Sequence, residues 1–377
     1  MQIYIVQAGD TIDAIAGRFG AEVTEISFVN QIPYPYRLAV GQAILIPIEG
    51  EEEEKRTIQT NGYAYPFISN WVLEQTLPYL SNLLVFSYGF SEAGELIPPA
   101  LSDVWMLEKT EQAGALSVLV LTPLGADGRF NNNLIHAVVT NEEAKENLIV
   151  NLVSITEEKG FRGVDVDFEY ILAEDRDLFT AFVAELRQRM NREGRQVSVA
   201  LAPKTSANQP GLLYEGKDYR GLGEAADEVL LMAYEWGYTY GPAMAVAPLN
   251  KVRQVVEYAL TEIPAEKINL GIPNYGYDWT LPYVQGESKA VTIGNVEAVQ
   301  IAINNGVEIG FHEVAQSPFI LYEKDGVQHE VWFEDVRSLQ AKYDLIKEYN
   351  LRGFGVWQIM RLFRASWFLM TDNFYVV

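Results

Sequence analysis

Three acidic residues alternate with apolar residues in the segment GVDVDFEY, which runs from Gly163 to Tyr170. Side chains on a β-strand alternate between its two faces, so Asp165, Asp167 and Glu169 would share one face. Burying three carboxyl groups costs free energy, so a protein is expected to do so only where the groups are needed for chemistry. Carboxyl groups that lie close together cannot all ionise easily, so the pKa of at least one of them is raised. A carboxyl group of raised pKa suits a general acid near neutral pH. The alternative, a solvent-facing edge strand, conflicts with the apolar runs on either side.

Eight strand-like runs, separated by amphipathic stretches, would position these acids. They are 61–65, 83–88, 116–121, 163–170, 197–202, 229–234, 268–272 and 353–357. Strands alternating with helices predict an α/β fold, a (β/α)8 TIM barrel, with a small insertion at about 278–331 between the seventh and eighth strands. Active sites of such barrels open at the C-terminal ends of the strands, which indicates that Glu169 is the proton donor.

The composition limits the chemistry available to the chain. The 377 residues include no Cys and three His, so a thiolate nucleophile and a Cys-ligated zinc are excluded. No two His have metal-ligand spacing, and we expect no metal and no cofactor. The formal net charge of −23 disfavours nucleic acid as a partner. No stretch of about 18 apolar residues occurs, so no membrane insertion is expected.

A separate small module is predicted at residues 1–48. The run of four Glu at 51–54 is typical of a solvated linker, placed at 49–59, ahead of a barrel at 60–377. Within the module, a strand-like run at 3–6 is followed by a turn and helix N-cap at 9–11. A second short helix and a strand at 44–46 complete a strand, helix, helix, strand order.

This module resembles the LysM glycan-binding fold. The matching segments are YIVQAGDTIDAIAGRF, VTEISFVN and VGQAILIP, within residues 2–48. The resemblance implies binding of glycans that contain N-acetylglucosamine, as in peptidoglycan or chitin. It places the sugar in a groove between two loops, whose residues here are Gly9, Asp10, Thr11, Asn30 and Ile32.

The barrel region, 60–377, resembles glycoside hydrolase family 18. The acidic run matches the last three acids of the family pattern DxxDxDxE, while Arg162 occupies the first acidic position. Three further segments match on later strands: MAYEW at 232–236, GIPNYG at 271–276 and GFGVWQ at 353–358. Four matching segments in order on separate strands make chance similarity improbable.

The resemblance implies a retaining mechanism in which the substrate's 2-acetamido group attacks the anomeric carbon. Glu169 would protonate the glycosidic oxygen, Asp167 would hold the acetamido N–H, and Asp165 would share a proton with Asp167. Tyr234 would hydrogen-bond the acetamido oxygen. The candidate substrate-binding residues are Trp357, Met232, Tyr63, Glu235, Tyr170 and Tyr275. For the aromatic residues, packing in the barrel is the alternative.

A LysM module joined to a family 18 barrel resembles bacterial spore peptidoglycan hydrolases. It implies an N-acetylglucosaminidase that cleaves the bond after N-acetylglucosamine in cortex glycan. The N-terminal MQIYIVQAGDT lacks the regions of a secretory signal, so we expect synthesis in the mother-cell cytoplasm and placement at the spore surface or cortex. Three alternatives stay open: a chitinase, a lectin without activity, and a structural spore-coat protein.

Overall fold

The computed structural model of the protein describes residues 1–48 and 54–377. The first part of the predicted acidic linker, residues 49–53, lies outside the described residues. The last part of that predicted linker, residues 56–59, belongs to a strand instead. The reason is that the C-terminal strand pairs with the chain from Arg56 to Ile58 and extends the first barrel strand backwards.

The N-terminal module has the predicted order of elements. It comprises β1 (Gln2–Ile5), α1 (Ile12–Phe19), α2 (Val23–Asn30) and β2 (Ala43–Ile46). Strands β1 and β2 pair in antiparallel fashion. Thr11 caps α1, since its side chain accepts the N–H of Ala14 at 3.2 Å, and Gly20 ends the helix in the left-handed region at φ 67°.

The remaining elements alternate strands with helices. The first half contains β3 (Arg56–Ala64), α3 (Asn70–Thr76), β4 (Asn82–Phe90), β5 (Leu96–Ile97), α4 (Val104–Gln112), β6 (Leu116–Leu121), α5 (Asn133–Thr140), α6 (Glu142–Lys159), β7 (Gly163–Val166), α7 (Arg176–Arg192) and β8 (Gln196–Leu201). The second half contains α8 (Tyr219–Ala225), β9 (Glu228–Leu231), α9 (Leu249–Glu262), β10 (Ile268–Pro273), β11 (Gly276–Thr280), β12 (Val291–Ile293), α10 (Asn295–Asn305), β13 (Gly310–His312), β14 (Ser317–Lys324), β15 (Val327–Trp332), α11 (Val336–Glu348), β16 (Gly353–Trp357), α12 (Arg364–Asn373) and β17 (Phe374–Val376). Short 3-10 helices lie at Leu77–Tyr79, Ala173–Asp175 and Ala265–Lys267.

Eight parallel strands close into a barrel, in the order β3, β4, β6, β7, β8, β9, β10 and β16, with β16 pairing back onto β3. The strands bury apolar side chains against the surrounding helices, which form one continuous core with them. The predicted (β/α)8 fold is therefore confirmed. Among the described residues, no helix combines the length and apolar character needed to cross a membrane.

A five-stranded antiparallel sheet is inserted between β10 and β16, in the order β12, β11, β15, β14, β13. Helix α10 packs on this sheet through its own small core, which includes Ala298, Ala302, Ile320 and Val331. The sheet runs from Gly276 to Trp332. The insertion rises beside the C-terminal ends of the barrel strands, because β11 begins three residues after β10 ends.

The LysM module packs directly against the barrel and the insertion. Arg364, at the start of α12, donates to the Phe28 carbonyl at 2.8 Å, and its guanidinium lies 3.9 Å from the centre of the Phe28 ring. The main-chain N–H of Ile309 donates to the Val40 carbonyl at 2.9 Å. Gly41, at φ 80°, is required there because a Cβ would lie 2.0 Å from the Ile309 carbonyl oxygen. The module is thus docked by specific contacts.

Candidate active site

The three acids lie at and beyond the C-terminal end of β7. Asp165 belongs to the strand and is fully buried inside the barrel. The strand ends at Val166, earlier than the sequence predicts, although the Asp167 N–H still donates to the Leu121 carbonyl at 2.9 Å. Asp167 and Glu169 follow and line one open cleft. The alternation therefore orders the acids from the barrel interior outward, as predicted.

Asp165 is held by two hydroxyl groups. The Tyr63 hydroxyl donates to it at 2.9 Å and the Ser198 hydroxyl at 2.5 Å. Burial raises the pKa of Asp165 to about 6, against the two hydrogen bonds, which lower it, and the more distant Glu228 raises it further. Near neutral pH, Asp165 can therefore either carry or release a proton.

Asp167 has an unused acceptor. Its Oδ1 atom is buried, and no described residue donates a hydrogen bond to it. Burial raises the pKa of Asp167 well above its usual range, and the charges of Glu169 and Asp165 raise it further. A buried acceptor of this kind costs free energy in the empty protein, so its partner is expected to be a donor on a bound ligand.

Glu169 meets the requirement for a proton donor. Burial raises its pKa, while the positive charge of Lys217 opposes the rise. The side chain lines both the main cleft, of ≈ 390 Å³, and a smaller adjoining pocket of ≈ 170 Å³. An acid between two cavities can protonate a bond whose two sugar units occupy opposite sides of it.

Aromatic side chains form much of the main cleft. The lining residues are Tyr65, Phe86, Phe130, Asp167, Glu169, Met232, Tyr234, Glu235, Tyr275, Tyr277, Thr292, Trp357 and Gln358. Trp357 ends β16, and edge-on contacts with Phe86 (ring centres 4.8 Å apart) and Tyr65 (6.1 Å) fix its indole ring. A fixed indole suits the apolar face of a sugar ring.

Met232 and Tyr234 follow the end of β9 and line both cavities. Burial raises the pKa of Tyr234 well above its usual range, and Asp167 and Glu169 add to the effect, so its hydroxyl stays protonated as a donor. Gly271 on β10 makes room for this ring, because a Cβ there would lie 2.8 Å from Tyr234 Cε1.

Hydrogen bonds from two tyrosine hydroxyls fix the side chain of Glu235 in the same cleft as Asp167 and Glu169. Glu235 adopts φ 68°, accepts a hydrogen bond from the Tyr275 hydroxyl, and accepts a second from Tyr277 at 2.9 Å. Burial raises the pKa of Glu235, whereas both hydrogen bonds lower it. The predicted residues Glu235 and Tyr275 thus both reach the cleft, joined by Tyr277 from the insertion.

Two predicted substrate contacts lie elsewhere. Tyr63 is buried beneath the cleft, where it contacts Asp165, because strand alternation fixes which face a side chain occupies but not its depth. Tyr170 is 40% exposed and does not line the main cleft. The chain has left β7 by that point, so the strand alternation no longer applies to Tyr170.

The candidate LysM contacts separate into two groups. Gly9 and Thr11 are exposed, while Asp10 accepts the Tyr4 hydroxyl at 2.6 Å and the Gln7 N–H at 2.7 Å. Asn30 instead bonds the main chain of Ile26 and Leu45, and Ile32 is buried in the module's core. The side chains of Asn30 and Ile32 therefore stabilise the module.

Sequence reasoning missed two residues that act on the acids, Ser198 and Lys217, and six that line the cleft: Tyr65, Phe86, Phe130, Tyr277, Thr292 and Gln358. Ser198 is the third residue of QVSVAL in β8, where the apolar alternation places it on the inner face, so the pattern could have found it. Lys217 lies in a loop without periodicity and gave no signal. Arg162, which replaces the first acid of the family pattern, reaches the Gly194 carbonyl, away from the cleft.

Among the described residues, one group of possible metal ligands lies outside the cleft. His136, Glu174 and Asp175 bring one ligand atom each within 4.8 Å of one another. The Nδ1 atom of His136 bonds the Asp175 carboxylate at 2.8 Å, so these two side chains are already partners of each other. We assign no metal to these residues.

The chain is similar to known proteins over its whole length. Residues 116–361 match the model of "Glycosyl hydrolases family 18", and residues 4–47 match that of the "LysM domain". A cortical fragment-lytic enzyme of Bacillus subtilis (strain 168) is 38% identical, covering 100% of this chain and 99% of its own length. A cortical fragment-lytic enzyme of Bacillus anthracis is 33% identical, covering 99% of this chain and 98% of its own length. The crystal structure of the Bacillus megaterium spore cortex-lytic enzyme SleL superposes with a TM-score of 0.94 at 33% identity, covering 100% and 98%.

Proposed function

The chain belongs to glycosyl hydrolase family 18 and is a glycoside hydrolase with an N-terminal LysM domain, and from this premise we propose that its substrate is spore cortex peptidoglycan. The observation that carries the proposal is the similarity to cortex-lytic enzymes over both parts of the chain. The same similarity supports a spore-associated location. The LysM domain and the barrel both bind glycan that contains N-acetylglucosamine.

In the first step, an N-acetylglucosamine unit occupies the main cleft with its glycosidic oxygen beside Glu169. Glu169 transfers its proton to that oxygen as the bond to the anomeric carbon breaks. The acetamido carbonyl oxygen of the same sugar attacks the anomeric carbon and gives a cyclic oxazolinium ion. The raised pKa of Glu169 supports this role, because the carboxyl group must be protonated before the reaction.

Asp167 stabilises the same step. Its free Oδ1 accepts the acetamido N–H and holds the group in line for attack. Its negative charge then offsets the positive charge that spreads over the oxazolinium ring. Asp165 exchanges a proton with Asp167 and so adjusts that charge, which its pKa of about 6 permits.

The aromatic residues hold the reacting sugar. Tyr234 donates to the acetamido oxygen, which fixes the oxygen as the nucleophile. Trp357 supplies the apolar floor, and Met232 forms a side wall that both cavities share. In the second step, water attacks the anomeric carbon from the side the leaving group vacated, and Glu169 takes its proton. The product keeps the configuration of the substrate.

The LysM domain contributes glycan binding from the exposed loop at Gly9 to Thr11. Because the domain is docked on α12 and the insertion, its groove keeps a fixed direction relative to the catalytic cleft. This arrangement suits a long glycan that is held at two places. We propose domain limits of 1–48 for the LysM domain and 56–377 for the barrel, because the first barrel strand begins at Arg56.

The test compares two substrates at equal concentrations of N-acetylglucosamine. Purified cortex fragments and chitin oligomers are each incubated with the enzyme, and new reducing ends are measured. The proposal predicts turnover of cortex fragments. Release of reducing ends from chitin alone would support the chitinase alternative. Absence of turnover on either polymer, with binding retained, would indicate a lectin or a structural protein.

A further inference from the structure

A buried lysine lies behind the catalytic acids. Lys217 is fully buried and belongs to the segment between β8 and α8. This segment packs tightly on the chain that follows β7, since a Cβ on Gly216 would lie 2.3 Å from the Ile171 carbonyl oxygen. The mechanism described above uses no group from this segment. A charged side chain in such a position requires an explanation, because an ammonium group is rarely buried unless it is paired.

The ammonium group of Lys217 holds the backbone between the two outer acids. It donates to the carbonyl of Phe168, the residue that separates Asp167 from Glu169, and lies 3.4 Å from the Ala200 carbonyl on β8. Its remaining side faces the Phe179 ring of α7, with the nitrogen 5.5 Å from the ring centre. Lys217 therefore joins the end of the catalytic strand to the neighbouring strand.

The charges around Lys217 come from three elements. Asp167 and Glu169, beyond β7, attract the ammonium group and oppose the burial that lowers the pKa of Lys217 to about 8. The ammonium of Lys204, after β8, donates at 2.9 Å to the Lys217 carbonyl. Next along the chain, Asp218 pairs with Arg176 of α7 at 3.3 Å. Lys217 is the positive charge that acts on both acids, and it opposes the rise in their pKa that burial causes and, at Asp167, that the charges of Glu169 and Asp165 add to.

We propose that Lys217 is a positioning residue of the catalytic site, which fixes the Phe168 peptide and balances the negative charge of Asp167 and Glu169. The proposal rests on the function assigned above to these two acids. Without Lys217, the backbone carbonyl loses its donor and the two carboxyl groups lose their nearby cation. The ionised form of Asp167 would then form only at higher pH, and Glu169 would hold its proton to higher pH.

The test replaces Lys217 with Met, which keeps the length of the side chain and removes the charge. Both limbs of the pH profile of kcat/KM are expected to move to higher pH by about one unit, with kcat reduced about tenfold at neutral pH. KM should change less than kcat, because the fully buried Lys217 cannot reach a sugar in the cleft. The matched control is Lys342→Met, which removes another fully buried lysine, paired with Glu334 at 2.8 Å. It should lower stability and leave the pH profile unchanged.

An unchanged pH profile in an active Lys217→Met variant would overturn the proposal. If that variant does not fold, the full-length wild type is labelled with 13C at lysine Cε and titrated by NMR alongside Glu169→Gln. One lysine signal should titrate at lower pH in Glu169→Gln, because its anionic partner is gone. If no lysine signal responds, the proposal fails. A wild type without turnover on any N-acetylglucosamine polymer would instead refute the proposed function.

Discussion

Replacing Asp167 with Asn should lower activity and raise stability at the same time. The substitution keeps the size of the side chain and an acceptor oxygen in the cleft, but it removes the negative charge. Both effects follow from one observation, which is that the Oδ1 atom of Asp167 is buried without a donor among the described residues. The carboxylate is therefore placed for a ligand, and in its ionised form it lowers the stability of the empty protein.

The loss of activity can be worked out from the position of the charge. A carboxylate that accepts the acetamido N–H lies about 4 Å from the developing oxazolinium charge, where the attraction is worth about 4 kcal/mol at an effective dielectric constant near 20. Since each 1.36 kcal/mol corresponds to about a factor of ten in rate, kcat should fall roughly 10³-fold. KM should change little, because the positive charge exists only in the transition state.

The stability should change in the opposite direction. The pKa of Asp167 in the folded protein lies above its value in the unfolded chain. The folded protein therefore binds this proton more strongly than the unfolded chain does. As a result, the free energy of unfolding falls as the pH rises from the pKa of Asp167 in the unfolded chain through its pKa in the folded protein. Asn does not ionise, so the variant does not lose this stability at high pH. The Tm of Asp167→Asn should therefore exceed that of the wild type at about pH 8, and the difference should shrink toward pH 5.

The control is Asp103→Asn, at another buried aspartate. Asp103 pairs with Lys159 at 2.7 Å and accepts the Tyr88 hydroxyl at 2.5 Å, so its charge is compensated. This variant should lose about 1–3 kcal/mol of stability and keep its kcat. Steady-state kinetics on a small chromogenic N-acetylglucosaminide and calorimetry at two pH values measure both quantities. A lower Tm together with a lower kcat in Asp167→Asn would refute the reasoning, since it would make Asp167 a structural residue.

Two further predictions concern the proton donor and the docked domain. Glu169→Gln should reduce the kcat for hydrolysis of unactivated glycan by about 10²- to 10⁴-fold. The control is Glu235→Gln, which alters a carboxylate in the same cleft that is hydrogen-bonded to tyrosine, and it should lower kcat much less. Equal losses in the two variants would show that Glu169 is not the proton donor. Arg364→Ala should lower the free energy of unfolding by about 1–3 kcal/mol, because the guanidinium bonds and stacks on Phe28 of the LysM domain. Chemical denaturation would detect this, and an unchanged midpoint would contradict the docking described above.

The order of the three acids Asp165, Asp167 and Glu169 along the barrel could be predicted, because strand alternation is a local property of the sequence. The pattern GVDVDFEY was sufficient to place Asp165 inside the barrel and Asp167 and Glu169 at its open end. Depth was not predictable in the same way, because it depends on the stagger of neighbouring strands. For this reason the prediction that Tyr63 contacts the sugar was not met, and its hydroxyl bonds Asp165 below the main cleft.

Contacts between distant segments were also beyond the sequence. Lys217 lies in an irregular loop, and the carbonyl it bonds is 49 residues away, on Phe168. The docking of the LysM domain joins Phe28 to Arg364, which are 336 residues apart. The run of Glu at 51–54 suggested separated domains, because a charge run indicates solvation and says nothing about the surfaces on either side of it.

The central claim, retaining hydrolysis of the bond after N-acetylglucosamine in cortex peptidoglycan, is tested most directly by the end groups of the products. Purified cortex fragments are digested, and the new reducing ends are reduced with borohydride and identified by mass spectrometry, while NMR at early times records their anomeric configuration. We expect every new reducing end to be N-acetylglucosamine in the β configuration. Reducing ends of the muramic acid type, or an initial α anomer, would contradict the claim.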